Sequence, residues 1–313
     1  MMAVYWISGG SGSLGTALTH SLLRAGHHVR AFARSDHRLS VLEASVPADW
    51  RPRLSCLPGA VEDRRRVLRS MCGATHVIHA AALKRIDIAE YSPAEAIETN
   101  VNGTRNVLEA VLDLGDEIKR AILISTDKAS APCTLYGASK LAAERLWLAA
   151  NRYRGCFPQP FVAVRYGNVW GSAGSVLPVW RDTSGPISIT DPSMTRFHIT
   201  MIEAVVFVLA ALDQALPGTL WIPKLPSYRL GDLAEAWGGE SIVTGRRPSE
   251  KLHESMIGAD ESQGIVDETD SHFALDPQST AQAGGWAYQS SSAKSRKYTV
   301  EELREMIEQW RNP

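Results

Sequence analysis

The chain has no surplus of either charge. Among its 313 residues, 33 Lys and Arg stand against 34 Asp and Glu, a formal net charge of −1. A broad nucleic-acid-binding face usually needs a basic excess, so an extended polyanionic partner is not expected. A long apolar run is also missing. The longest, Ala204–Leu212, has nine residues, whereas a bilayer-spanning helix needs about 20. No basic leader precedes Val4–Ile7, which runs straight into glycine and reads as a strand, not a signal peptide. Cysteine is scarce: Cys56, Cys72, Cys133 and Cys156 have no C-x-x-C spacing. They read as reduced packing thiols in a cytoplasmic protein. His and Cys never reach metal-ligand spacing, so no metal is expected. With 44% hydrophobic and 21% charged residues the composition is that of a folded globular chain.

The first half alternates β-branched runs with amphipathic stretches. Strands are expected at Val4–Ser8, Val29–Ala33, His76–Ala80, Ala121–Ser125 and Val162–Tyr166, and helices at Val101–Leu114 and Tyr136–Asn151. In the first helix Leu14, Ala17, Leu18, Ser21, Leu22 and Ala25 keep helical spacing, and Gly26 stands where it should stop. This alternation implies an α/β doubly wound parallel sheet. After Asn168 the rhythm breaks at Gly171, Gly174, Pro178, Gly185, Pro186 and Pro192. The expected division is a dinucleotide-binding domain over 1–168, to which the chain returns around 198–222. A smaller cap follows from 169–197 and 223–275, then a loop and helix over 276–313. Gln278–Ser295, rich in Ser, Ala, Gly and Gln, reads as loop, and Val300–Trp310 as the terminal helix.

Gly9, Gly12 and Gly15 form G-x-x-G-x-x-G between the first strand and helix, with Ser11, Ser13 and Leu14 in the intervening places. The first glycine permits a tight turn, the second lets a pyrophosphate approach the backbone, and the third allows close helix–strand packing. The helix N-terminus then offers free N–H groups to the phosphates. NAD sites usually carry an acid at the end of the second strand. Here Ala33 is followed by Arg34, Ser35, Asp36, His37 and Arg38. A guanidinium there suits a 2′-phosphate, so NADP is expected over NAD, with Asp36 a displaced rival acid.

Thr126, Asp127 and Lys128 follow a strand, and Tyr136 and Lys140 open a helix at i and i+4. The pair shares a helix face, where an ammonium would favour phenolate. Tyr136 is then the candidate general base for a substrate hydroxyl, and Lys140 a candidate ligand of the nicotinamide ribose.

In this order the motifs resemble the extended short-chain dehydrogenase/reductase family, and within it the UDP-N-acetylglucosamine 4,6-dehydratase group. The matching segments are His79–Lys84, Ile88–Tyr91, Ser125–Ala129, Tyr136–Lys140, Val164–Val169, Ile189–Asp191, Met194–Phe197 and Gly245–Glu254. The resemblance implies oxidation at C4, loss of water across C5 and C6, and return of hydride to C6. Asp127 matches the acid and Lys128 the base, with Thr126 orienting substrate. Lysine in place of the glutamate of dTDP-glucose dehydratases implies inversion at C5. The cofactor is placed against Ala60, Val61, Ala80, Ala81, Ala82, Lys84, Asn100, Tyr166, Asn168 and Val169. Lys84, Asn168, Ser175, Val176, Thr195, Arg196, Arg247 and Glu250 are placed against a UDP-sugar, with Arg196 and Arg247 on the diphosphate and Arg181, Arg246 and Lys251 as weaker candidates. Related enzymes form homo-oligomers through helices flanking the sheet.

The sequence departs from the group in places. Gly59-Ala60-Val61 stands for Gly-Asp-Val, with Glu62 or Asp63 left to serve the adenine. Ala131-Pro132-Cys133-Thr134 stands for Asn-Pro-x-Asn, Ser172-Ala173-Gly174-Ser175 for Ser-Arg-Gly-Ser, and Arg247-Pro248-Ser249-Glu250-Lys251 for Arg-Pro-Gly-Glu-Lys. Two other readings fit the glycine turn: a nucleotide-sugar epimerase or reductase, and a non-catalytic NADP-binding regulator.

Overall fold

A computed structural model describes residues 2–153, 160–280 and 284–312; Cys156 and part of the 278–295 stretch lie outside them. Six strands, β1 (Val4–Ser8), β2 (His28–Ala33), β3 (Leu54–Pro58), β4 (His76–His79), β5 (Arg120–Thr126) and β6 (Phe161–Tyr166), lie in the order β3-β2-β1-β4-β5-β6, all parallel. Helices cover both faces, which is why β6 is buried at every position and reads as an unbroken apolar run apart from Arg165. Leu220–Pro223 continues the sheet beside β6 in parallel. His272–Leu275 and Ile265–Glu268 then add two antiparallel strands at that edge. Residues 265–275 are expected in the cap. Ile265, Phe273 and Leu275 instead join the main core, because four-residue strands with apolar inner faces bury them best on an open sheet edge.

Strand order reverses between β1 and β4, so the crevice for ligands opens at the carboxyl ends of these strands. The first helix, Ser13–Arg24, stops as its glycine predicts. Gly26 takes φ +86°, its N–H donates to the Leu23 carbonyl, and the His27 N–H donates to Leu22. Helix Gly103–Leu114 is preceded by a π-helical turn over Glu98–Asn102.

The cap holds a three-stranded sheet of Asn168–Val169, Thr195–Ile199 and Ser227–Arg229, and a pair formed by Ile187–Ile189 and Ser241–Val243. Leu177, Trp180, Ile187, Ile189, Tyr228 and Leu233 make a core separate from the main one. The terminal helix Val300–Arg311 contributes Leu303 and Ile307 to it, so a segment expected to lie outside the cap completes its interior. That helix also seats Trp310 on Gly171. A Cβ at Gly171 would come within 2.1 Å of the indole Nε1.

Candidate active site

The glycine turn is as tight as its spacing implies. Gly9 has φ +68°, and a Cβ there would stand 2.9 Å from the Ala81 nitrogen. A Cβ on Gly15 would stand 2.3 Å from the Gly9 carbonyl oxygen. Gly10, which the pattern did not single out, is also closely packed: a Cβ there would stand 2.8 Å from Ala31. Gly12 caps the first helix with no side-chain bond and no acid in the first turn, leaving its N–H groups for an anion. A bare backbone cradle of this kind fits a dinucleotide pyrophosphate.

Around it, buried polar groups fix the strand ends. Ser8 Oγ accepts the Ala80 and Ala81 N–H groups at 3.1 and 3.2 Å and bonds His79 Nδ1 at 2.6 Å; His79 Nε2 bonds Thr104. Burial, with Lys140 adding to it, pushes His79 down to about 3, so the ring is neutral throughout the working range. Beyond β2, Arg34 is exposed and lies 3.9 Å from Glu62. Ser35, expected on the cofactor, caps the helix Asp36–Ser45 by accepting the Arg38 N–H. Asp63 likewise caps Arg64–Met71. The Ala60-Val61 turn is held by Asn106, whose amide donates to the Val61 and Glu62 carbonyls. Lys84 Nζ donates to the Ala173 carbonyl at 2.9 Å, and the Ala173 N–H donates to Ser13 Oγ at 3.4 Å. A cap loop thus crosses the crevice between the glycine turn and the end of β4.

The helix Leu135–Ala149 is capped by Thr134, which accepts the Gly137 N–H. It lies so near the preceding turn that a Cβ on Gly137 would meet the Lys128 carbonyl at 2.3 Å. Asn100 is no helix cap. It accepts the Leu83 N–H at 2.8 Å and donates to Ser139 Oγ at 2.9 Å, tying the end of β4 to this helix. Lys140 is turned inward, donating to the Ile124 carbonyl at 2.8 Å. Burial pushes its amine down to about 8, with Glu144 opposing. The sequence reading gave Lys140 the task of lowering the Tyr136 pKa. In the structure burial raises Tyr136, and the groups that oppose this are Lys128 and the Thr126 hydroxyl. Lys128, brought round by the intervening turn, is thus a cation that favours the phenolate, against burial and the Asp127 carboxylate.

Asp127 is fully buried. Its Oδ1 accepts from Thr126 Oγ1 at 2.9 Å and from Lys128 Nζ at 3.0 Å, while Oδ2 has no hydrogen-bond partner among the described residues. Lys128 also donates to Asn168 Oδ1 at 3.3 Å and lies 3.5 Å from Glu254. Burial lowers the Lys128 amine, but Asp127 and Glu254 together outweigh this and hold it above the ordinary lysine range. Tyr166, paired with Thr126 across β5 and β6, is pushed up by burial and by Tyr136 beside it.

On the cap side the expected substrate groups divide. Thr195 turns away, bonding His253 Nδ1 and Ser290 Oγ. Arg196 reaches toward Glu254 and Glu250, at 3.8 and 3.5 Å, while its Nη1 and Nη2 groups donate to the Thr195, Leu252 and Lys251 carbonyls. Glu250 bonds the Arg247 N–H and closes the turn in which Ser249 takes φ +60°. The Arg247 side chain is exposed. Ser175 Oγ is buried without a partner at the start of Val176–Arg181. Sequence reasoning missed Glu254 and Tyr228. Both lie at this charge cluster, Tyr228 being pushed up to about 12 by burial. Glu254 ends the matching segment Gly245–Glu254 without a role assigned to it there, and no local signal marks Tyr228.

A parallel sheet reversing at β1 and β4, a glycine turn and a tyrosine–lysine helix define a protein of the extended short-chain dehydrogenase/reductase class. The chain belongs to the polysaccharide biosynthesis protein family, which matches residues 5–275. It is 39% identical over 277 residues to UDP-N-acetylglucosamine 4,6-dehydratase (inverting) of Campylobacter jejuni, covering 87% of this chain and 82% of that protein. It is 34% identical over 269 residues to UDP-glucose 4-epimerase of Rickettsia rickettsii, covering 82% and 77%. The solved structure of Pen from Bacillus thuringiensis superposes with a TM-score of 0.91 at 31% identity, covering 99% of this chain and 98% of that one. Among the described residues no helix is long and apolar enough to cross a membrane.

Proposed function

We propose that the chain is an NADP-dependent nucleotide-sugar 4,6-dehydratase acting on UDP-N-acetylglucosamine or a close relative, with inversion at C5. The observation that carries this reading is the Asp127–Lys128 pair, an acid and an amine 3.0 Å apart at the carboxyl end of a central strand. An epimerase has no evident use for such a pair. The glycine turn would hold the pyrophosphate, Arg34 and Arg38 the 2′-phosphate, and Lys140 the nicotinamide ribose. A bound NADP would supply a hydride acceptor for C4 and a donor to C6.

The chain's own groups handle the protons. Tyr136 takes the C4 hydroxyl proton, and Lys128 and Thr126 favour the phenolate this needs. Asp127 carboxylate with Lys128 ammonium, and Asp127 acid with Lys128 amine, hold the same single proton. In the second arrangement the amine removes the C5 proton made acidic by the C4 ketone, and the acid protonates the departing C6 hydroxyl. Water leaves, and the pair returns to carboxylate and ammonium. With the Arg196 donors engaged inside the cap, Arg247 becomes the first candidate for the substrate diphosphate.

Incubation with UDP-N-acetylglucosamine and NADP⁺ in D₂O, followed by mass spectrometry and NMR, tests the reading. Loss of water with deuterium at C5 is expected. The epimerase relatives give a second reading its footing, and it predicts unchanged mass with altered C4 configuration. No reaction across a panel of UDP- and dTDP-sugars would leave a non-catalytic dinucleotide-binding protein. The NADP assignment is tested separately. Arg34→Glu is expected to weaken NADP relative to NAD by roughly tenfold or more, the worth of one charge-assisted phosphate contact, in a fluorescence titration of both cofactors.

A further inference from the structure

Glu254 enters none of these steps, yet it stands among the catalytic charges. It is 3% exposed. One carboxylate oxygen lies 3.5 Å from Lys128 Nζ and 3.8 Å from Arg196 Nε, while the other is buried without a hydrogen-bond partner among the described residues. Its backbone is pinned on both sides: its N–H donates to Ser290 Oγ, and its carbonyl accepts the Ser290 N–H. The Cα that carries this carboxylate is therefore fixed with that segment of the cap, and burial limits where the side chain can turn.

Every charged or titratable group facing Lys128 can be named. Asp127 comes from the turn after β5, Glu254 and Arg196 come from the cap, and the phenols of Tyr136 and Tyr228 and the amide of Asn168 complete the surroundings. Two anions thus act on the ammonium against one cation. The signs alternate from Asp127 through Lys128, Glu254 and Arg196 to Glu250. Asp127 alone would complete an ion pair. A second carboxylate does something the pair does not require: it draws the shared proton toward nitrogen.

We propose that Glu254 is a positioning residue for the elimination, acting through Lys128 to hold the amine against the cap and to set which member of the Asp127–Lys128 pair carries the shared proton. This rests on reading that pair as acid and base. It makes the cap an active partner in the proton balance, because the residue that restrains Lys128 belongs to the same segment as Arg247 and Glu250. The raised affinity of Lys128 for its proton, to which Glu254 contributes after Asp127, agrees with this placement.

The test titrates Lys128 directly. Its side chain is 19% exposed, so acetic anhydride labelling across pH, read by peptide mass spectrometry and normalised to exposed Lys119, follows the free amine. Glu254→Gln keeps the shape and removes the charge. Its Lys128 midpoint is expected to fall by about one pH unit or more, giving about tenfold more reactive amine below both midpoints. Glu254→Asp keeps the charge and should label with the wild-type midpoint. Should Glu254→Gln not fold, Glu254→Met carries the same expectation. An unmoved midpoint in the uncharged variant overturns the proposal. So does an equal fall in Glu254→Asp, which would make Glu254 a strut whose loss merely opens the site. Labelling needs no turnover, so failure of the dehydratase reading in the D₂O assay is distinguishable from failure here.

Discussion

Asp127→Asn is expected to slow water elimination by about 10²- to 10⁴-fold, the usual contribution of one acid–base group, while dinucleotide affinity stays within about twofold. The amide fills the same space but has no proton to give the leaving hydroxyl. Among the described residues Lys128 then keeps Glu254 as its only anion within 4 Å. It can no longer pass its proton to a neighbour at 3.0 Å. Acid and base functions are therefore impaired by one substitution. The cofactor cradle lies on other elements, so binding measured by fluorescence titration should be unaffected. Lys128→Ala should behave alike, with elimination lost and binding kept. If either variant dehydrates the sugar at the wild-type rate, the roles given to the pair are wrong.

Arg165→Ala is expected to lower stability by about 3–5 kcal/mol, because it strands buried charge. Arg165 is 1% exposed inside β6. It grips Glu144 at 3.0 and 2.6 Å, Glu261 at 2.9 and 3.0 Å, and the Met256 carbonyl at 2.8 Å. Without it two carboxylates are left together in the interior. Glu144 lies one helical turn beyond Lys140, so the tyrosine helix loses its anchor at the same time. A fall in melting temperature on the order of 10 °C is expected. Replacing Arg165, Glu144 and Glu261 together by apolar residues of similar volume should recover most of it, since desolvation then no longer opposes folding. A single Arg165→Ala variant as stable as the parent would show that the triad is not what joins sheet, helix and cap.

How far these sites could be read from sequence depended on how local their signals were. Gly9, Gly12 and Gly15 act on backbone atoms within a few residues of themselves, so their spacing alone exposed the turn. Tyr136 and Lys140 share a helix face by arithmetic, and the parallel strands showed themselves as apolar runs. The electrostatic task of Lys140 did not follow. Only the fold shows that its amine turns to the Ile124 carbonyl, and that Lys128, eight positions before Tyr136, comes near enough to favour the phenolate. Thr195 and Arg196 are neighbours on a strand and so face opposite ways. Which one met the cleft was settled by His253 and Ser290, far along the chain. Glu254 ends the matching segment Gly245–Glu254, but nothing in that segment says that its carboxylate meets Lys128. Two departures also became intelligible. Ala131 and Ser249 hold positive φ, at +43° and +60°. They stand where the family pattern has Asn and Gly, residues that accept this backbone more readily. The turns were kept and the residues that ease them were not.

The loop that ties Lys84 to Ser13 through Ala173 bears on how the protein would use its cofactor. A dinucleotide seated on the glycine turn would lie under a strand of cap backbone, and its departure would require both ties to break. A reaction that returns its hydride each cycle leaves nothing to exchange. If the proposed reaction holds, the dinucleotide under that strap would stay with the protein from one cycle to the next, and sugar alone would come and go.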